Sequence, residues 1–145
     1  MAKDKDPLKL VQTLADAAEF ENSQKVAASV AHLSAEAQRL AVLEQYLSEY
    51  RDRRTDNGGT LDVAYMTRQH EFVAALTRAI SDQDRRVTDL REQFESTLGL
   101  WRDAKSKVSA LKQYTGRIDD RERLRSERKE QSTLDDIAGR SSGLR

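Results

Sequence analysis

Few side chains in this sequence could do chemistry. His32 and His70 are the only histidines, and cysteine is absent. Glu36 follows His32 by four residues, which places both side chains on one face of a helix, but a single pair of this kind is a weak signal for a metal site. The sequence therefore predicts no metal centre, and the lack of cysteine excludes a disulfide framework.

Two pairs of adjacent carboxylates are the other candidates, Asp119 with Asp120 and Asp135 with Asp136. Neighbouring residues on a helix point about 100° apart, so the two carboxylates of a pair cannot share a proton or bracket a substrate. No phosphate-binding, dinucleotide-binding or serine-nucleophile motif accompanies them. We therefore predict that the protein is not an enzyme, with no catalytic residue, no cofactor and no small-molecule substrate.

The composition is typical of long, exposed helices. Hydrophobic residues make up 37% of the chain, charged residues make up 34%, and mean hydropathy is -0.80. This leaves too little apolar surface for a thick globular core. The 25 basic residues balance the 25 acidic ones, which argues against nucleic acid as a partner. Without an apolar run long enough for a membrane span or a signal peptide, we expect a cytoplasmic protein.

Capping and turn residues divide the chain into two helices. Asp6 and Pro7 form a helix start, because an acidic N-cap and a proline at the first helical position are both favourable there. Gly58 and Gly59 give the backbone a turn, and Thr60 can cap the next helix. The predicted elements are helix 1 over about residues 7–54, a turn over 55–60, helix 2 over about 61–137, and a disordered tail over 139–145.

Apolar side chains recur every three or four positions in both helices, which indicates coiled-coil seams. The predicted seam residues are Val26, Val30, Leu33, Ala37, Leu40, Leu43, Leu47 and Tyr50 in helix 1, and Phe72, Leu76, Ile80, Gln83, Val87, Leu90, Phe94, Thr97, Trp101, Ala104, Val108 and Leu111 in helix 2. Two consecutive steps of four around Leu76 predict a stutter. The short turn forces the helices to pack antiparallel, so residues 1–145 should form a single all-α coiled-coil hairpin.

The two helices differ in length. Folding the chain about Gly58 places Pro7 opposite about residue 109, so helix 2 should extend about 28 residues past helix 1, on the order of 40 Å. This C-terminal helical overhang is rich in charge and has no cover within the chain. We expect this overhang either to be solvated or to bind a partner protein.

Aromatic residues concentrate near the predicted turn. Tyr46, Tyr50, Tyr65 and Phe72 are more rings than a seam between two helices can hide completely, and they fall on shared helical faces. Because aromatic residues are enriched in interface hot spots, part of this set could form a docking patch. The spacing alone leaves core packing and partner binding equally open.

Several motifs stand at characteristic distances from this turn. They are Leu40-Ala-Val-Leu43-x-x-Tyr46-x-x-Glu49-Tyr50-Arg51 before it, and Phe72-x-x-x-Leu76-x-x-Ala79-Ile80-x-x-Gln83, Trp101-Arg102-x-x-Lys105-x-Lys107 and Leu134-Asp135-Asp136-Ile137-Ala138-x-Arg140 after it. Over about 100 residues from Leu40 onward, this arrangement resembles the flagellar export chaperone family FliJ. The resemblance implies a non-enzymatic stalk and general chaperone of the flagellar type III export apparatus, and hence a part in motility and chemotaxis.

The resemblance also implies partners and binding surfaces. The partners would be the hexameric export ATPase, the membrane-embedded export gate and export chaperones, with the protein recruited peripherally to the cytoplasmic side of the inner membrane. The face for the export gate would comprise Leu43, Tyr46, Tyr50, Phe72, Leu76, Ala79 and Gln83, and the ATPase end would include Arg117, Arg121, Arg125 and Arg128. The alternatives are a stalk of a virulence type III secretion system and a generic coiled-coil scaffold or dimerisation module.

Overall fold

The chain forms two long helices. The computed structural model describes the backbone of residues 2–56 and 62–143, and the side chains of residues 7–54 and 62–143. Helix α1 spans Ala2–Asp56 and helix α2 spans Val63–Gly143, and the described residues contain no strand. The predicted all-α hairpin of two packed helices is confirmed. Most of the predicted turn, residues 57–60, lies outside the described residues.

Both helices are longer than the sequence predicted. Helix α1 begins at Ala2 and contains Pro7, which the sequence analysis placed at its start. In the second turn of a helix, proline removes only one backbone hydrogen bond near an end that frays, so the helix can continue through it. The predicted disordered tail is wrong over residues 139–143, which continue α2. Glycine at position 139 weakens a helix by about 1 kcal/mol relative to alanine but does not end it.

The two helices together divide into two units. Unit 1 combines Met1–Glu19 with Asp103–Arg145, and unit 2 is Phe20–Arg102. In each unit a segment of α1 lies antiparallel to a segment of α2. Hydrogen bonds across the helices join Gln12 to Thr115 in unit 1 and Glu36 to Gln83 in unit 2.

The seam of unit 2 is a regular heptad pattern in which steps of four and three alternate. Its residues are Asn22, Val26, Ser29, Leu33, Glu36, Leu40, Leu43, Leu47, Tyr50 and Arg54 in α1, and Gln69, Val73, Leu76, Ile80, Gln83, Val87, Leu90, Phe94, Thr97 and Trp101 in α2, all buried or half-buried. The seam therefore passes through Ser29 and Glu36 where Val30 and Ala37 were predicted. The predicted stutter at Leu76 is wrong as well, because Val73 occupies the position assigned to Phe72. At two of these places an apolar residue, Val30 or Ala37, stands next to the polar seam residue, and at the third Phe72 stands next to the apolar Val73.

The seam of unit 1 shows how far along α2 the packing against α1 extends. Its residues are Leu8, Gln12, Ala15 and Glu19 in α1, and Ala104, Val108, Leu111, Thr115, Ile118 and Glu122 in α2. Because Gln12 is hydrogen-bonded to Thr115, Pro7 lies near Ile118 rather than near residue 109. Residues 123–143 are all exposed, and we call them the uncovered segment, although Arg125 near its start still lines a groove with Pro7 and Leu8. This segment is shorter than the overhang predicted from the sequence.

A seam between two helices gives shallow burial. Leu76, Val87 and Ala104 are the buried apolar residues among those described, and no described side chain is completely enclosed. Most seam residues therefore keep part of their surface in water. None of the described helices is long and apolar enough to cross a membrane.

Candidate functional site

Three aromatic residues form a cluster on one flank of unit 2. The ring of Phe72 lies 6.1 Å from the ring of Tyr46 in an edge-on arrangement and 4.9 Å from the ring of Tyr50. Contacts of this geometry favour a fixed ring position. Tyr46 is 47% exposed and Phe72 is 39% exposed, whereas Tyr50 is a half-buried seam residue. We call these three residues the aromatic cluster.

The positions of these rings follow from the heptad pattern. Tyr46 immediately precedes the seam residue Leu47, and Phe72 immediately precedes the seam residue Val73. In an antiparallel pair these two positions flank the seam on the same side, so the rings meet beside it rather than inside it. The cluster thus offers a rigid apolar surface that the chain itself covers only in part.

The other residues predicted for the gate face have different surroundings. Leu43 and Leu76 lie in the seam, and Leu76 is buried. Ala79 is exposed, seven residues after Phe72 and on the same flank. Gln83 is half-buried, and its side-chain amide donates a hydrogen bond to Glu36. The structure therefore brings Tyr46, Tyr50 and Phe72 together and places the two leucines in the core.

A buried carboxylate lies next to this face, in the middle of the seam. Glu36 is 5% exposed, and Gln83 Nε2 donates to Glu36 Oε2 at 2.6 Å and to the backbone carbonyl oxygen of Glu36 at 2.9 Å. Arg39 Nη1 donates to Glu36 Oε1 at 2.9 Å. From its spacing to His32 alone, Glu36 is a candidate only for a metal site. Its spacing of three from Leu33 and four to Leu40 could have identified it as a seam residue.

Basic side chains surround the Glu36 carboxylate. His32 Nε2 lies 3.8 Å from Oε1, and Arg86 Nη1 lies 4.0 Å from Oε2. The hydrogen bond from Gln83 is the largest influence, and it lowers the pKa of Glu36 below its ordinary value. Burial works in the opposite direction, while the charges of Arg39, Arg86 and His32 lower the pKa further. Glu36 is therefore held ionised inside the seam.

The arginines predicted for the ATPase end form a stripe on α2. Arg117, Arg121, Arg125 and Arg128 are all exposed, and their spacing of four, four and three places them on one side of the helix. Arg117 and Arg121 lie where α1 still packs on α2, and Arg125 and Arg128 lie in the uncovered segment. Arg123 points to another side, where it is 3.7 Å from Asp120 and 3.9 Å from Glu127. We call the four aligned residues the arginine stripe.

The described residues contain no group of three or more histidine and carboxylate side chains that could hold a metal ion. His32 is engaged with Glu36, and His70 is exposed. The two candidate sites are therefore the aromatic cluster in unit 2 and the arginine stripe in unit 1.

Comparison with known proteins gives one match. A family model described as "Flagellar FliJ protein" matches residues 4–145. No curated protein and no solved structure matches the chain significantly.

Proposed function

This chain belongs to the flagellar FliJ protein family, and we propose that it acts as the stalk that links the export ATPase to the export gate. The family match covers nearly the whole chain and supports a role in flagellar protein export in general. It also favours the flagellar apparatus over a virulence secretion system. As a stalk and general chaperone, the protein works by binding and carries out no chemical step.

The aromatic cluster is the observation that carries this proposal. Large rings that remain about 40–50% exposed on a fixed scaffold are the type of side chain that dominates protein interfaces. Tyr46, Tyr50 and Phe72 anchor the export gate, and Ala79 extends the surface along the same flank. Leu43, Leu76 and Gln83 support this face from within the seam.

The arginine stripe and the uncovered segment form the ATPase end. Residues 123–143 are helical and exposed throughout, so this segment is accessible to a surrounding ring except where Arg125 borders Pro7 and Leu8. Arginine pairs well with carboxylates at protein interfaces because its guanidinium presents several donors in a fixed geometry. The stripe would therefore face acidic residues of the hexameric ATPase. The protein would also escort export chaperones at the cytoplasmic side of the inner membrane.

The gate contact is tested by changing Tyr46 and Phe72 to alanine and measuring affinity for the purified cytoplasmic domain of the export gate. We expect a loss of about tenfold or more, because truncated aromatic anchors have effects of this size. Helicity and melting temperature should change little, since both rings are partly exposed.

Phe20→Ala is the matched control, because Phe20 is an aromatic residue of the same unit that is 61% exposed and lies away from the cluster. This variant should bind the gate domain like the original chain. If the double variant and the control bound the gate domain equally well, the aromatic cluster would not be part of the gate contact.

A further inference from the structure

A groove runs between the two helices of unit 1. Its lining residues are Pro7, Leu8, Val11, Tyr114, Ile118, Arg121, Glu122 and Arg125. Two apolar members of this lining are largely in water, since Val11 is 47% exposed and Tyr114 is 55% exposed. Leu14 continues the surface one turn further along α1 and is 62% exposed. We call this surface the terminal groove.

The two flanks of the unit 1 seam differ in polarity along α1. On the side of the terminal groove, the residues that flank the seam are Pro7, Val11, Leu14 and Ala18. On the other side they are Lys9, Thr13 and Asp16. A coiled coil of two helices normally carries charged residues on both flanks of its seam. The apolar flank of α1 therefore has the pattern of a helix that packs against two neighbours, of which α2 is one.

Charge identifies the type of helix that fits. On α2 the terminal groove is bordered by Arg121 and Arg125, and Arg117 lies one turn before Arg121 on the same side. Glu122 also lines the groove, but it is a half-buried seam residue that interacts within the chain. Among the described residues, the accessible charge at the border is thus basic, whereas the lining from α1 is apolar. An occupant needs an apolar stripe with carboxylates beside it.

We propose that the terminal groove binds an amphipathic helix of a partner protein whose apolar face is bordered by Asp and Glu. The apolar face packs on Val11, Leu14 and Tyr114, and the carboxylates pair with Arg117, Arg121 and Arg125. Binding of a helix in a groove relies on apolar anchors spaced three and four residues apart, which matches the spacing of Pro7, Val11, Leu14 and Ala18. Tyr114 adds an aromatic anchor with a polar tip at the border of the groove.

The test uses a synthetic probe of defined chemistry. The probe is a fluorescent helical peptide of about 18 residues, with leucines at spacings of three and four and glutamates beside them, and it spans about 27 Å. A second peptide has lysine in place of every glutamate. Fluorescence anisotropy with the full chain should show saturable binding of the acidic peptide. The basic peptide should bind about tenfold more weakly or worse.

Variants assign the binding to the groove. Val11→Ser with Leu14→Ser, and separately Tyr114→Ala, should each weaken binding of the acidic peptide about tenfold. Leu100→Ser is the control, because Leu100 is 58% exposed but belongs to unit 2. Circular dichroism checks that each variant is folded. The two groove variants change different residues, so either one alone tests the groove if the other does not fold.

Several results would overturn the proposal. These are no binding of the acidic peptide at millimolar concentration, equal binding of both peptides, or equal loss of binding in the Leu100 control. Sedimentation of the chain alone provides a further check. If the chain self-associates and the Val11 and Leu14 changes abolish this, a second copy and not a partner protein occupies the groove.

The groove shares Arg121 and Arg125 with the proposed ATPase contact, but its apolar anchors are not part of that contact. ATP hydrolysis by the export ATPase, measured with the same variants, therefore tests the stalk function separately.

Discussion

Glu36 and Gln83 place a charge and an amide inside a seam that is otherwise formed mainly by apolar side chains. A polar pair in a seam rarely adds much stability compared with two apolar residues, but it penalises every alignment of the helices that separates the partners. Shifting α1 by one heptad would leave the Glu36 carboxylate buried without the amide of Gln83. The pair therefore specifies the register that brings Tyr46 and Tyr50 next to Phe72.

The ionisation of Glu36 makes stability depend on pH in a defined direction. The pKa of Glu36 is lower in the folded chain than its ordinary value of 4.5, chiefly because Gln83 donates a hydrogen bond to the carboxylate. Between these two values the unfolded chain binds more protons, so the contribution of Glu36 is fully present above pH 4.5 and is lost as the pH falls through the folded pKa. We expect the original chain to be more stable than Glu36→Gln at neutral pH, and the difference to shrink below pH 4.5.

Urea denaturation of both proteins at a series of pH values from neutral to acidic measures this difference. Gln83→Leu serves as a second variant, because it keeps the carboxylate but removes the main donor. Its stability should vary less steeply over the same acidic range. A difference between the original chain and Glu36→Gln that stays constant with pH would contradict this account of Glu36.

Residue types predicted the aromatic cluster but not the buried carboxylate. The concentration of Tyr46, Tyr50 and Phe72 near the turn is visible in the sequence, and the structure brings the three rings together. Whether each ring lies in the seam or beside it depends on the heptad phase, which a shift of one residue changes. Glu36 was overlooked because charged residues are rare in a seam, although its spacing from Leu33 and Leu40 fits one and its partner Gln83 lies 47 residues away.

At the scale of elements, the end of α2 is a helix with few contacts to other described parts of the chain. Residues 123–143 are all exposed, and their local support includes the ion pairs of Arg123 with Asp120 and Glu127. Pairs of this kind stabilise a helix by only about 0.2–0.5 kcal/mol each and are weakened by salt. Since helices without tertiary contacts are marginal in water, we expect this segment to fray when no partner is bound.

Removing residues 123–145 should therefore separate folding from ATPase engagement. Every seam residue up to Glu122 remains, so the truncated chain should keep the melting temperature of the full chain within a few degrees. We expect it to lose stimulation of ATP hydrolysis by the purified export ATPase, because Arg125, Arg128 and the uncovered helix are gone. The measurement is ATP turnover with each protein at low and moderate salt.

A charge-reversal pair refines this test. Arg125→Glu with Arg128→Glu should reduce stimulation within the full-length chain, whereas Arg78→Glu with Arg85→Glu, the same change at exposed positions of unit 2, should not. Full stimulation by the truncated chain would mean that the ATPase binds elsewhere.

The existence and order of both helices could be predicted, and their ends could not. Long segments with apolar residues at spacings of three and four identify α1 and α2 reliably. Pro7 and the glycines at 139 and 143 are usually read as helix boundaries, yet the helices run past Pro7 and through residue 139. The predicted overlap was short for a different reason: Gln12 pairs with Thr115, so each residue at the start of α1 lies opposite a later residue of α2 than folding about Gly58 gives.

At the scale of the whole molecule, the proposed gate contact and the proposed ATPase contact belong to different units. Unit 2 carries the aromatic cluster, and unit 1 carries the arginine stripe, while α1 and α2 each contribute residues to both units. A stalk must hold its two partners through one chain. A protein that only scaffolds or escorts could serve them in separate encounters.

This difference leads to a test of linkage. The gate domain is fixed to a surface, and the amount of ATPase it retains is measured with full-length chain, with Tyr46→Ala/Phe72→Ala, with the chain ending at Glu122, and with the two defective proteins mixed. The full chain should retain ATPase on the surface. Neither defective protein should retain ATPase on the surface, since one lacks the gate anchors and the other lacks the ATPase end. The mixture should also retain no ATPase, because its intact gate surface and its intact ATPase end are on different molecules. If the mixture retained as much ATPase as the full chain, the link would be an assembly of several copies and not a single stalk.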